Sequence, residues 1–196
     1  MLLSRRTALA AGGALSLCAA ARPARAQAPA IKLGVLSDMS GPYSDNTGQG
    51  SVVAARMAIE DFTRTRPGIR VELISADNQN RADVGMSIAR SWYDREGVDC
   101  ILDVPLSALA LAMGEVVREK NKVALYTGPA ASDLTGRACG PNHIHWTYDT
   151  WALAHGTGTA LVQEGGDTWF FLTADYAFGQ ALERDTGGFV TAAGGR

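Results

Sequence analysis

The sequence predicts an α/β fold in which helices cover a parallel sheet. Short apolar runs alternate with longer segments whose apolar residues recur every three or four positions, an order typical of strands linked by helices. Glycines at the ends of three helical segments, Gly68, Gly97 and Gly165, provide caps after which a strand can begin. With 196 residues, 46% of them apolar, the chain can build a buried core.

Five apolar runs are the predicted strands, and amphipathic segments connect the first four of them. The strands are residues 31–37, 71–76, 98–104, 122–127 and 169–173. The helical faces between them are Val52, Ala55, Ile59 and Phe62; Val84, Ile88 and Trp92; and Leu109, Ala112, Met113, Val116 and Val117. Two further helices are predicted over residues 149–164 and 177–193, the first weakened by internal glycines.

The stretch over residues 128–147 separates two parts of the chain. Its prolines and glycines break any long element, and only residues 143–147 can be extended. We therefore predict a crossover near Thr147, with the fifth strand in a different sheet from the first four. Because this order of elements predicts another strand after Arg196, we expect the chain to be the front part of a longer protein.

Residues 1–26 have the features of a secretory signal peptide. Two arginines precede an Ala-rich run that is too short to span a membrane, and Ala24 and Ala26 suit a signal peptidase. The alternative is a buried first helix. We expect cleavage after Ala26, export to the periplasm and no stable membrane insertion afterwards. The paired arginines resemble a twin-arginine signal, although the phenylalanine usual in that motif is missing.

Charge and motif content argue against several classes of function. Without the signal, 14 basic and 20 acidic residues leave a net charge of −6, so no basic field attracts nucleic acid. Cys100 and Cys139 are too few for a disulfide framework, and we expect free thiols. His143, His145 and Cys139 fit no strong metal pattern. Phosphate-binding glycine motifs and a nucleophile elbow are missing, so we predict no cofactor and no enzyme activity.

The loops that follow the predicted strands form the candidate ligand site. In an open parallel sheet these loops meet at the carboxyl edge, where helix N-termini offer free N–H groups to a carboxylate. Ser107, Ser132 and Asp149 can instead cap helices, and Tyr43 and Phe178 can simply pack. The site interpretation rests on four loops of similar composition, rich in hydroxyls, small residues and aromatic rings: residues 38–45, 103–107, 128–133 and 174–179.

Six pieces of the sequence, taken in order, form a specific set that spans the mature chain. They are residues 31–42, Gly48-Gln49-Gly50, the Asp77 loop, Ser107 with the helix after it, residues 129–132 with Leu134 and Thr135, and residues 175–179. In this order the sequence resembles the leucine/isoleucine/valine-binding protein family, the type I periplasmic solute-binding proteins of ABC transporters. The resemblance implies two Rossmann-like lobes with parallel sheets: a first lobe over residues 27–147 and an incomplete second lobe over 148–196.

The resemblance also implies a set of ligand-binding residues. In relatives, groups at the matching positions hold the carboxylate and amine of an amino acid and form an aromatic wall. Phe178 replaces a tyrosine that is common in relatives, which removes a hydroxyl. Asp103 brings a carboxylate near the cleft, where it can meet an amine or serve a structural purpose. The predicted ligand-binding residues are Tyr43, Ser107, Ala130, Ser132, Tyr176 and Phe178.

The leading functional hypothesis is a non-catalytic receptor that binds an amino acid or a similar carboxylated solute between two lobes. It would deliver that solute to the permease of an ABC uptake transporter. The alternatives are an exported sensor domain that presents its ligand to a signalling partner and a small periplasmic enzyme that uses the region of Asp103 and Asp175. The lack of a nucleophile with its base argues against the enzyme.

Overall fold

One five-stranded parallel sheet organises residues 30–145 in the computed structural model, which describes residues 30–196. The order in the sheet is β2-β1-β3-β4-β5, and every neighbouring pair is parallel. The predicted α/β class and the first four predicted strands are confirmed, whereas the predicted signal peptide lies outside the described residues. The strands are β1 Ala30–Ser37, β2 Arg70–Asp77, β3 Cys100–Asp103, β4 Val123–Tyr126 and β5 His143–His145.

Within residues 30–196, five α-helices follow or connect the strands as the apolar spacing predicts. We call residues 30–145 the sheet unit, and α4 with α5, which pack against each other, the helix pair. Among the helices of residues 30–196, none is long and apolar enough to cross a membrane. The helices are α1 Gly48–Thr65, α2 Ala82–Asp94, α3 Ser107–Glu119, α4 Thr150–Gln163 and α5 Ala177–Ala192.

The main core lies between the sheet and the two helices α2 and α3. Leu36 and Ile101 of the sheet pack there with Leu109 and Met113 of α3, and all four side chains are fully buried. Since neighbouring residues of a strand point to opposite faces, Val35 turns its side chain away from Leu36 and towards the other face of the sheet. The spacing of the apolar residues therefore gives α2 and α3 their buried faces and fixes them on the sheet.

The prediction of a strand over residues 169–173 is wrong. These residues lie in no sheet, because a strand needs a hydrogen-bonded neighbour along its length and here only the N–H of Trp169 makes a long-range backbone bond, to the carbonyl of Arg196 at 2.7 Å. Exposure alternates along the segment, and Phe170 and Leu172 are almost fully exposed at 91% and 97%. Conversely, the stretch over residues 143–147, which the sequence allows to be extended, contributes His143–His145 to the main sheet as β5, a pairing that the sequence did not predict.

A substitution at Gly34 in β1 tests how closely α2 packs on the sheet. A Cβ added at Gly34 would lie 2.4 Å from a ring carbon of Trp92, which is 4% exposed and belongs to the core. We expect Gly34→Ala to lower the free energy of unfolding by about 1 to 3 kcal/mol, the usual cost of overpacking a core.

The matched control for this substitution is Gly50→Ala. Gly50 is exposed near the start of α1, and a Cβ there meets no atom within 4 Å. Alanine should leave the stability unchanged or raise it by up to about 1 kcal/mol. Urea unfolding of both variants measures the difference, and equal midpoints for the two would contradict the described packing.

Candidate functional site

A cavity of about 370 Å³ lies at the carboxyl edge of the sheet, between the sheet unit and the start of α5. Three of the four predicted loops reach it from the sheet unit, and the fourth reaches it from the helix pair. No lining residue carries an acidic or a basic side chain; hydroxyls, an amide and aromatic rings form the wall. The lining residues are Tyr43, Asn46, Thr47, Pro105, Ser107, Thr127, Gly128, Ala130, Thr147, Tyr148, Tyr176 and Phe178.

Ser107 is placed on the cavity wall as the first residue of α3. Its Oγ accepts hydrogen bonds from the backbone N–H groups of Ala130 and Ala131, both at 3.3 Å. A hydroxyl oxygen has two acceptor sites, so these bonds occupy both and leave the hydroxyl hydrogen free to donate. Ser107 does not cap α3, because the N-cap position belongs to Leu106 and no side chain caps the helix.

The end of α3 adds a partial positive charge to the same wall. The first N–H groups of a helix have no partner inside the helix, and the peptide dipoles favour an anion at that end. The first intrahelical bond here is donated by Ala110 to the carbonyl of Leu106. No acidic side chain occupies the first turn of α3 to neutralise this end. The wall around Ser107 therefore suits a hydrogen-bond acceptor with negative charge.

The loop after β1 is shaped by a buried carboxylate and presents Tyr43 to the cavity. Asp38 accepts hydrogen bonds from the N–H of Gly41 at 2.7 Å and from the N–H of Tyr43 at 3.0 Å. This turn holds the backbone of Tyr43, whose side chain lines the cavity. Tyr43 is therefore fixed before any ligand binds, which lowers the entropic cost of binding.

Tyr43 and Tyr176 join the two sides of the cavity through a hydrogen bond between their hydroxyls. Tyr176 precedes α5 as its N-cap residue, and its ring packs against the core of the sheet unit. Burial, together with the hydrogen bond to Tyr43, raises the pKa of Tyr176, so its phenol stays protonated at neutral pH. One hydroxyl hydrogen is used between the two residues, and the other can donate into the cavity.

Phe178 and Tyr148 supply apolar surface on the outer side of the cavity. The Phe178 ring stacks on Tyr176 with 6.0 Å between the ring centres. Tyr148 follows β5 and is 60% exposed. Phe178 belongs to the motif at residues 175–179 and was predicted as a site residue, whereas Tyr148 lies outside all four predicted loops. Its position near the crossover was the one available signal, since the segment after β5 runs past the same sheet edge.

Asp103 serves the structure and is not a free group of the cavity. Its carboxylate is buried and accepts hydrogen bonds from the hydroxyls of Ser37 at 2.6 Å and Thr127 at 3.0 Å. Of the two uses open to it from sequence, the structural one is therefore observed. Asp103 and the β-branched Val104 both have positive φ, at 77° and 56°. That strained backbone turns the chain from β3 into the cavity wall at Pro105.

Ser132 is the one predicted site residue that lies outside this cavity. It lines a wider surface depression of about 500 Å³, and its hydroxyl donates to Asp185 at 2.6 Å. The basic side chains of that depression, Arg137 and Arg184, are both paired with Asp133. We assign the candidate site to the smaller cavity, because the hydroxyl of Ser107 and one hydroxyl of the Tyr43 and Tyr176 pair each keep a hydrogen to donate there, whereas the charges of the depression neutralise one another.

The other groups singled out in the sequence have local structural partners. The side chain of Asp149 caps α4 by accepting from the N–H of Ala152 at 2.8 Å, which confirms its predicted use. His143 and His145 each bond through Nε2 to a backbone carbonyl. Across residues 30–196, no group of three or more histidine, cysteine or acidic side chains is placed to hold a metal. Both cysteines in that range are free, and burial raises the pKa of Cys100 to about 11.

Comparisons with known proteins give a family and a set of similar structures. A model of the periplasmic binding protein family matches residues 30–196. A periplasmic binding protein from Burkholderia mallei is 49% identical, with a TM-score of 0.81; the match covers 86% of this chain and 45% of that one. A branched chain amino acid ABC transporter periplasmic ligand-binding protein from Burkholderia xenovorans is 41% identical, with a TM-score of 0.72, covering 84% and 44%.

More distant structures share the fold. A solute binding protein of an ABC transporter from R. palustris, in complex with 4-hydroxybenzoate, is 21% identical with a TM-score of 0.69, covering 85% of this chain and 45% of that one. The chain thus spans less than half the length of the solved structures it matches. No curated protein matches it.

The ion pairs of Asp133, in the depression beside the cavity, make the stability of the fold depend on pH. Burial alone would raise the pKa of its carboxyl, but the hydrogen bond from Arg137 and the charges of Arg184 and Arg137 outweigh burial and lower it. A lowered pKa contributes stability above the unfolded value of about 3.9, and that stability is lost as the pH falls through the folded pKa. We expect Asp133→Asn to lower the melting temperature at pH 7 and to flatten its fall below about pH 4.

Asp45→Asn is the control for this effect, because Asp45 is exposed and its side chain has no hydrogen bond or ion pair in the described part of the chain. Melting curves from pH 3 to pH 7 separate the two variants. Parallel curves for the wild type and Asp133→Asn would show that the ion pairs with Arg137 and Arg184 do not stabilise the fold.

Proposed function

The chain belongs to the periplasmic binding protein family, and we propose that it acts as the solute-binding receptor of an ABC uptake transporter. We propose further that residues 27–147 form the first lobe, that residues 148–196 begin the second, and that residues 1–26 direct export to the periplasm. The solute binds between the lobes at the cavity of Ser107 and Tyr43. A membrane permease then takes the solute from the receptor.

The observation that carries the choice of solute is that Ser107 Oγ accepts from two backbone N–H groups, which leaves its hydroxyl hydrogen to donate. Ser107 lies on an uncharged wall beside the N-terminus of α3, so the favoured partner is an acceptor with negative charge, such as a carboxylate. The hydroxyl pair of Tyr43 and Tyr176 offers a second donor to the same space. We therefore propose a small carboxylated solute, with amino acids as one class of candidate.

The rings on the outer side of the cavity support a solute with an apolar part. Tyr148, Tyr176 and Phe178 provide faces on which an aliphatic side chain or an aromatic ring can pack. The relatives extend this range, because one is described as a branched chain amino acid transporter protein and another was crystallised with 4-hydroxybenzoate. Leucine and 4-hydroxybenzoate are therefore the first two solutes to test.

Receptor function accounts for the arrangement better than catalysis does. The cavity wall holds no acid and base pair and no activated nucleophile, since Ser107 accepts from two amides and bonds to no base. Asp175, named in the alternative enzyme hypothesis, is exposed, precedes α5 and accepts at 3.4 Å from Gln180 in the first turn of that helix. What the site offers is binding, orientation and shielding from water.

Ser107→Ala tests the role of the free hydroxyl. Hydrogen bonds to charged groups are worth about 1.5 to 3 kcal/mol, so binding of a carboxylate should weaken by roughly 10- to 150-fold. The same change removes the acceptor of two backbone N–H groups, and some loss of stability is expected as well. Calorimetric titration of leucine and 4-hydroxybenzoate into the intact, ligand-stripped protein, well below its melting temperature, measures the loss.

Ser91→Ala is the matched control, since Ser91 lies in α2 away from the cavity. It should bind both solutes as the wild type does. An unchanged dissociation constant for Ser107→Ala would remove this residue from the site and leave the proposed carboxylate subsite without its donor.

A further inference from the structure

The two sides of the cavity come from distant parts of the chain and have to be held in register. Ser107 and Ala130 belong to the sheet unit, whereas Tyr176 and Phe178 stand at the start of α5. A shift of α5 by about 1 Å would change every distance across the cavity. Some contact further along α5 must therefore fix the tilt of this helix against the sheet unit.

Asp185 makes the contact that fits this requirement. It lies nine residues after Tyr176, or about 13 Å along the helix axis at 1.5 Å per residue. Its Oδ2 accepts hydrogen bonds from the hydroxyls of Ser132 and Thr150, both at 2.6 Å. One carboxylate thus joins the middle of α5 to the loop after β4 and to the first residue of α4.

One of the two hydroxyl partners of Asp185 also forms a hydrogen bond with the cavity wall. The N–H of Thr150 donates to the carbonyl of Ala130 at 2.8 Å, and Ala130 lines the cavity. The N–H of Ser132 donates to the hydroxyl of Thr150 at 3.0 Å. Thr150 therefore connects Asp185 with the wall that faces Tyr176: its hydroxyl donates to Asp185 and its N–H donates to the carbonyl of Ala130.

Charge pairing explains why this contact can be rigid. Arg184 bonds to the second oxygen of Asp185 and also reaches Asp133, which in turn pairs with Arg137. Two acids and two bases balance, and the side chains of Asp133 and Asp185 are only about one-tenth exposed. Hydrogen bonds to a carboxylate shielded from water are stronger than neutral ones, and networks of them resist rearrangement.

We propose that Asp185 is a positioning residue of the solute site, which sets the tilt of α5 so that Tyr176 and Phe178 face Ser107 and Ala130. The role of Asp185 in solute binding rests on the proposed function, but the tilt of α5 can be measured without a solute. In this account the Asp185 contact is the fixed point between the sheet unit and the helix pair. The hydrogen bond between the hydroxyls of Tyr43 and Tyr176 then joins the sheet unit to the start of α5 at the cavity.

The test compares Asp185→Asn with Glu183→Gln in the intact protein. Asn keeps the shape of the side chain but removes the charge that holds two hydroxyls and Arg184. Glu183 is an exposed acid two residues away on the same helix, so its change matches the loss of one negative charge. Spin labels at the exposed positions 60 in α1 and 191 in α5, in a Cys100→Ala and Cys139→Ser background, report the distance between the sheet unit and α5.

For the wild type and Glu183→Gln we expect one narrow distance distribution, and for Asp185→Asn a broader or shifted one. The affinity for the probe that the wild type binds, leucine or 4-hydroxybenzoate, should fall about tenfold in Asp185→Asn alone. A lower melting temperature with an unchanged distance distribution would overturn the proposal, because a merely structural residue behaves in that way.

Thr150→Val provides the second variant if Asp185→Asn does not fold. It removes one of the two hydroxyl donors, keeps the side-chain shape and leaves Asp185 in place, so it should broaden the distribution in the same sense. A narrow distribution in this variant overturns the proposal. If the wild type binds neither probe but the distributions change as expected, the proposed solute class fails while the positioning of α5 by Asp185 stands.

Discussion

The buried carboxylate of Asp103 holds together the ends of three neighbouring strands. It ends β3 and accepts hydrogen bonds from Ser37, which ends β1, and from Thr127, which follows β4. The hydroxyl of Ser37 in turn accepts from the N–H of Gly48, where α1 begins. Because the strands are parallel and in register, one acid can fix the three loops that leave this edge of the sheet.

The chemistry of the cavity follows from how completely its nearby acids are used. Asp38 shapes the turn that carries Tyr43, and Asp103 fixes the strand ends, so neither offers charge to a ligand. What remains on the wall is the hydroxyl of Ser107, the hydroxyl pair of Tyr43 and Tyr176, and aromatic rings. The described side of the site is thus a set of donors without a negative charge, and this is the basis on which we propose a carboxylated solute.

The sequence predicted the parts that depend on local pattern and missed those that depend on distant partners. Apolar spacing was enough for β1 to β4 and the helices, and five of the six residues that the family resemblance implies line one cavity. The prediction of a strand at residues 169–173 is wrong because an alternating apolar pattern indicates only which side chains share a face. It does not provide the neighbouring strand with which the backbone must form hydrogen bonds. Ser132 lies outside the cavity, where its hydroxyl donates to Asp185, 53 residues later. No spacing rule indicates that pairing.

The most direct test of the account is a crystal structure of the intact protein with a bound carboxylate, soaked with 4-hydroxybenzoate or leucine or retained from expression. The account predicts a carboxylate oxygen about 3 Å from Ser107 Oγ, with the apolar part of the solute against Phe178 and Tyr148. A solute in the depression beside Arg137 and Arg184, with the Ser107 cavity empty, would contradict it.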